Sequence, residues 1–190
     1  PIAWEDRPKL IEEIDAAKER LAEIEDAAGF RARLVWSLGN HDARFETRLA
    51  SVAPEYAQVH GVHLKDHFPR WEPCWSIWIN GNVVVKHRFR GGIHATHNNT
   101  LWSGKTILTG HLHSLQVRPF SDYNGTRYGV DTGTLAEPGG PQFIHYTEDS
   151  PVNWRSGFVV LHFCNGKLLQ PQIAMVMDGQ IDYCGNLVKV

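Results

Sequence analysis

The chain has 190 residues, a formal net charge of −2 and an ordinary apolar share of 42%. That is enough to bury one sizeable core, and the charge balance gives the whole molecule no case as a nucleic-acid or membrane binder. Three scattered cysteines without a Cys-x-x-Cys pair, no membrane-length apolar run and no signal-peptide pattern argue against a disulfide scaffold and predict a cytoplasmic protein without a membrane partner.

In chain order, Leu10, Ile11, Ile14, Ala17, Leu21, Ile24 and Ala28 recur at three- and four-residue steps. This predicts an amphipathic helix stopped by Gly29, with the acids of 5–26 along it. A strand over 33–38 follows, then a polar turn, Gly39-Asn40-His41-Asp42, and a short helix over 43–52 ended near Pro54. The segment 60–73 reads as a loop-rich insert. Its Asp66-His67-Phe68-Pro69-Arg70-Trp71 either shapes substrate access or anchors the loop, and His63 and His67 have the spacing of a helical metal pair. Runs at 76–80 and 83–87 flank Asn80-Gly81, a strong hairpin signal. Gly91-Gly92 opens a loop, 97–102 reads as a short helix, and 106–109 is the next buried strand. After His113 come β-rich runs at 115–117, 127–130, 142–146, 157–163, 173–177 and 187–190. They are punctuated by Asn124-Gly125, Gly139-Gly140-Pro141, Asn165-Gly166, Asp178-Gly179 and Gly185-Asn186. The fold class is therefore α/β, an α+β sandwich. It is read as one domain over 1–190, with a mixed α/β layer over 1–113 and an antiparallel β layer over 114–190.

Three histidine-bearing features stand where predicted strands end. They are Gly39-Asn40-His41-Asp42, the run Val83-Val84-Val85-Lys86-His87, and Gly110-His111-Leu112-His113. Ligands of open α/β sheets bind at the carboxyl ends of strands, so these ends imply one shared site. Imidazole with amide oxygen suits Mn, Fe, Zn or Ni. Histidines at i and i+2 of an extended turn can serve one metal each, and two metals about 3.5–4 Å apart can clamp a phosphoryl group.

In order and spacing, Asn40-His41-Asp42, His87 and His111-Leu112-His113 resemble the C-terminal half of the calcineurin-like metallophosphoesterases. The resemblance covers roughly residues 10–135, and Gly125-Thr126-Arg127-Tyr128-Gly129-Val130-Asp131-Thr132-Gly133 looks like a bacterial or phage-type branch. It implies a two-sheet β-sandwich flanked by helices. It further implies a hydrolase with two divalent transition metals (Mn, Fe, Zn or Ni) acting on a phosphomonoester or phosphodiester. The expected substrate is a phosphorylated small molecule or a nucleic acid; protein phosphate, nucleotide, nucleic-acid phosphodiester and lipid head group all stay open, and the phage-type branch favours nucleic acid or nucleotide. By the same resemblance Asn40, His87 and His111 bind one metal and His113 the other. The resemblance also makes His41 the catalytic residue, one that faces the phosphate and stabilises charge or protonates the leaving oxygen. The family's Asp-x-His and Gly-Asp-x-x-Asp turns have no counterpart before Asn40, and the chain opens on Pro1. The implied reading is a C-terminal portion whose activity needs an N-terminal half as partner.

Other readings stay open. A non-catalytic binding or scaffolding remnant of the fold fits the same residues, as does a mononuclear structural zinc at Asn40, His87 and His111. His94 and His97 are candidate substrate-binding residues in a loop lining the cleft, or ordinary polar positions. Lys86, Arg88, Arg90, Arg118 and Arg127 are a substrate-facing patch or a solvated surface. Asn153-Trp154-Arg155 is equally ambiguous, and His60, His145 and His162 read as structural or surface positions.

Overall fold

In a computed structural model, residues 8–140, 143, 147–148 and 150–190 are described. The start of the acidic run at 5, the expected strand at 142–146 and His145 lie outside them. The described residues are mixed α/β, with four α-helices and several sheets. They divide into two compact units, 1–75 and 76–190. No helix among the described residues is long and apolar enough to cross a membrane.

In the first unit, helix α1 spans Leu10–Ala28. The amide of Lys9 donates to Glu12 Oε2 at 2.8 Å, and Gly29 takes a left-handed φ of 70° that ends the helix. Ile14 on its apolar stripe is buried. Strand β1 (Leu34–Ser37) pairs in parallel with β2 (Trp71–Cys74), Leu34 opposite Trp71. Strand β2 corrects the loop reading of 60–73. Its proline, Pro73, has no N–H to give a ladder, which is tolerated where only one side is paired. The same segment holds the single-turn helix α3 (Leu64–His67). Helix α2 spans Asn40–Val52, three residues longer at its start than the spacing predicts. The cause is Asp42, whose Oδ2 accepts the amide of Gly39 at 2.6 Å and so caps the helix from its third position.

The second unit is built on a five-stranded sheet of order β3-β4-β5-β7-β6: Ile77–Ile79, Val83–Val85, Thr106–Thr109, Gly125–Asp131 and Gln116–Asp122 for β3, β4, β5, β7 and β6. The three inner strands β4, β5 and β7 run parallel, and both edge strands are antiparallel. The layer boundary expected at His113 therefore falls elsewhere. Strands β6 and β7 join the mixed sheet because β7 supplies the second neighbour of β5. The later strands β8 (Gly157–Val160), β11 (Gln172–Met177), β12 (Gln180–Tyr183) and β13 (Asn186–Lys189) form an antiparallel sheet of order β13-β12-β11-β8. Strands β9 (Phe163–Cys164) and β10 (Lys167–Leu168) make a small hairpin.

Turn chemistry sets these hairpins. Asn80-Gly81, Asn165-Gly166, Asp178-Gly179 and Cys184-Gly185 have positive φ at both residues, as the tightest β-turns require. The last was read at Gly185-Asn186, because cysteine is not a residue that advertises a left-handed backbone.

Alternation along β5 and β7 gives the sheet two faces. Leu108 and Val130 point to one face and cluster with Val83. Val159, Leu161 and Leu168 pack on that cluster. On the other face lies helix α4 (Ala95–Ser103), which buries Thr96, Asn99 and Thr100. Gly129 makes that approach possible, since a Cβ there would overlap the Thr96 carbonyl and the Thr100 hydroxyl. Cys74, Cys164 and Cys184 are free thiols, the last two exposed, in keeping with the reading against a disulfide scaffold.

Two outcomes follow from the packing. Gly129→Ala should cost about 1–3 kcal/mol, the usual penalty of overpacking, measured by urea unfolding. Gly125→Ala, where a Cβ meets nothing within 4 Å, isolates the cost of positive φ alone. On the β6–β7 hairpin, the Arg127 guanidinium donates to both carboxylate oxygens of Asp122, at 3.0 and 2.7 Å. It holds that carboxyl down to about 2 from an ordinary 3.8. This contribution is present above 3.8 and is lost as pH falls through about 2. An NMR titration of the Asp122 carboxyl should show its midpoint rise toward 3.8 in Arg127→Gln.

Candidate functional site

The second unit brings two of the expected residues together. Past the end of β4, Lys86 N donates to Leu108 O at 3.0 Å, which keeps the parallel ladder going by one step. The His87 carbonyl then accepts two amides, those of Gly110 and His111, each at 3.1 Å. This fixes the backbone of 87 against that of 110–111. The side chains meet as a result: His87 Nε2 and His111 Nδ1 are 3.0 Å apart, with ring centroids at 4.9 Å and planes at 70°. Gly110 is needed at the turn, because a Cβ there would stand 2.8 Å from Thr132 Oγ1.

His113 has a left-handed φ of 57°, a costly conformation for a residue with a side chain. Its surroundings enforce it. The His113 carbonyl accepts the Arg155 amide at 2.8 Å, Arg155 Nη1 donates to Ser114 O at 3.0 Å, and the Trp154 ring packs edge-on to the His113 ring at 4.8 Å. Asn153-Trp154-Arg155, ambiguous in the sequence, thus braces the second histidine turn.

Asp131, at the carboxyl end of β7, was not among the expected site residues. It is 1% exposed, and its Oδ1 accepts the amides of Ser114 at 3.1 Å and Gly133 at 3.0 Å. Burial, outweighing these bonds, pushes its carboxyl above the ordinary 3.8. The available signal was its place: an acid ending an apolar strand in the same sheet as His87 and His111.

In the first unit, Asn40 opens helix α2 and the exposed His41 follows it. His41 lines a cavity of about 560 Å³ whose walls include Ile14, Trp36, Phe45 and Phe68. His63 takes a structural part. Its Nδ1 faces Glu46 Oε2 at 2.9 Å and its Nε2 faces the Ala57 carbonyl at 3.0 Å. The Glu46 carboxylate raises its pKa above the ordinary 6.5, so this tie is strongest below 6.5 and fades as pH rises through the raised value. With both ring nitrogens so engaged, the metal pairing of His63 with His67 is set aside. Trp71 Nε1 donates to Glu25 Oε1 at 2.7 Å, and Trp36 meets Phe68 edge-on at 5.7 Å, so 66–71 anchors its segment. Back in the second unit, His94 is the exposed residue before α4, and His97 packs on the Phe120 ring at 5.5 Å.

The 3.0 Å between His87 Nε2 and His111 Nδ1 is a hydrogen bond between the rings, and the same spacing is compatible with two ligands of one metal. Bonds of about 2.0–2.1 Å at angles of about 90–110° put neighbouring imidazole nitrogens about 2.9–3.4 Å apart. The observed 3.0 Å lies in that interval. Among the described residues no group of three or more His, Cys, Asp or Glu is placed to hold a metal. No protein-family model, curated protein or solved structure matches the chain.

Asp131→Ala should leave the Ser114 and Gly133 amides unpaired and cost about 1–3 kcal/mol in denaturant unfolding. Asp131→Asn keeps an acceptor and should restore most of it. Ionisation of the buried carboxyl opposes folding: its contribution is most favourable below 3.8 and is lost as pH rises through the raised value. D131N should therefore flatten the stability–pH profile on the alkaline side of 3.8.

Proposed function

We propose that this chain carries a metal-dependent phosphoesterase site of the calcineurin-like metallophosphoesterase type. The observation that carries the reading is the meeting of His87 and His111 at the carboxyl ends of neighbouring parallel strands, their nitrogens 3.0 Å apart. A mixed sheet with a second antiparallel sheet behind it and a helix in front supports the two-sheet sandwich of that family. In this reading His87 and His111 hold one divalent transition metal, and His113 belongs to a second. When bound, the metals supply Lewis acidity toward a phosphoryl oxygen. The rest is the work of the chain. The His87 carbonyl fixes the spacing of the two histidine turns. Asp131 and Arg155 hold the turn that carries His113. By the resemblance, His41 is the group for charge stabilisation or proton donation to the leaving oxygen. The substrate is a phosphomonoester or phosphodiester, with nucleotides and nucleic acids included.

A second reading, a binding or scaffolding domain of the same fold without turnover, is favoured by one observation. No third His, Cys, Asp or Glu joins His87 and His111 among the described residues. Cobalt binding followed by visible absorption separates a site from none. His87→Ala and His111→Ala should each lower cobalt affinity at least about tenfold, while His63→Ala should leave it unchanged. With Mn²⁺ and a phosphodiester whose leaving group is an alkyl alcohol, His41→Ala should keep the metal and slow turnover by about 10²–10⁴-fold, and the loss should shrink with a nitrophenyl ester, which needs less protonation. Cobalt binding indifferent to both His87 and His111 would sink the phosphoesterase. Cobalt binding that depends on them, without turnover even when the N-terminal half implied by the resemblance is supplied, would favour the scaffold.

A further inference from the structure

The charge of this chain is unevenly placed. Between Glu72 and Asp122 there is no acidic side chain, yet the stretch carries Lys86, Arg88, Arg90, Lys105 and Arg118. Three of these five lie in the segment leaving β4, on either side of His87. The structure sets two of these three, Lys86 and Arg90, beside aromatic rings. Lys86 Nζ is 5.5 Å from the Phe89 centroid, and Arg90 Cζ is 5.8 Å from Phe89 and 4.2 Å from Trp102. The rings are not core: Phe89 is 43% and Trp102 64% exposed. The platform is fixed, because Arg90 N donates to the buried Asn99 of α4 at 2.9 Å. None of Lys86, Arg88 and Arg90 forms an ion pair with a described carboxylate.

We infer that the surface made by Lys86, Arg88, Phe89, Arg90 and Trp102 binds single-stranded nucleic acid, and that this is the substrate class of the proposed site. Cations that no described carboxylate pairs with attract a phosphate backbone, and exposed rings offer faces on which bases stack. A guanidinium lying over an indole keeps its N–H groups in one plane for a phosphate oxygen. Bases in a duplex are already stacked on each other, so the rings select unpaired strands. The segment is continuous with His87, so a strand held here brings a phosphodiester toward the His87–His111 pair. As a substrate assignment the inference rests on the phosphoesterase reading; as a binding surface it stands on its own contacts.

The test is fluorescence anisotropy of a labelled twelve-nucleotide oligothymidylate with the whole chain, in EDTA, over a salt series. Binding should weaken with salt, and a duplex of equal length should bind less tightly. Arg88→Gln, at an exposed loop position, should lower the log–log salt slope by about 0.7, the share of one phosphate on a single strand. Trp102→Ala should weaken binding about tenfold or more with the slope unchanged, as loss of a stacking face does. If that variant does not fold by circular dichroism, Phe89→Leu carries the same expectation. Failure to bind at low salt overturns the inference. So does binding indifferent to these substitutions, or polyglutamate competing as well as the oligonucleotide, which would mark an acidic protein partner. Because EDTA removes metal, a chain that binds oligothymidylate without a cobalt site keeps this surface and loses the phosphoesterase. The opposite pair of results does the reverse.

Discussion

The second unit depends on the carbonyl of His87. A strand end normally leaves its last peptide groups to water, but here one oxygen takes two amides from the neighbouring turn, at 3.1 Å each. It does so only because β4 and β5 run parallel and in register through Val85 and Leu108. Side chains two positions apart in register would not bring imidazoles to 3.0 Å; the shared carbonyl does. Everything that holds β4 against β5 therefore also sets the histidine pair. That includes the Val83, Leu108 and Val130 cluster on one face and the close seat of α4 over Gly129 on the other.

Around that point the turns are held by groups that are expensive to bury or bend. Asp131 is a carboxylate almost without solvent, tolerated because two backbone amides aim at one of its oxygens. His113 sits in a backbone conformation that side chains avoid, and Arg155 and Trp154 hold it there. Strain and buried charge gathered at one sheet edge are what a preorganised site requires, since neither improves the stability of a fold.

The legible parts of the sequence were those governed by local rules. Val83-Val84-Val85 and Thr106–Thr109 read as buried strands because β-branched runs between turn residues have few other uses. Asn80-Gly81 announced its hairpin, and Gly29 its helix end. The fold class was legible at the level of a mixed α/β chain. What stayed hidden was set by distant partners. Strand β2 carries Pro73 and is made a strand by β1, not by its own pattern. Asp131 resembled any turn acid until Ser114 was folded back onto it. His63 looked like a metal ligand because nothing nearby in sequence reveals Glu46 and Ala57 as its partners. Basic residues along 86–90 read equally as a substrate-facing patch or a solvated surface, and only the fold sets Phe89 and Trp102 beside Lys86 and Arg90.

The pairing pattern of the second unit also orders its assembly in time. Strands β11, β12 and β13 join through two-residue turns, so every contact among them is short in sequence and its loop closes at little entropic cost. The parallel pairs are different: Val85 reaches Leu108, and Leu108 reaches Val130, only after a crossover or a hairpin has been laid down between them. Contacts of that span form slowly. Contact span alone predicts that the terminal meander forms early and the junction of His87 with His111 late. A ligand requiring both imidazoles has nothing to grip in the early ensemble, so it acts on the rate of unfolding and leaves the rate of folding alone.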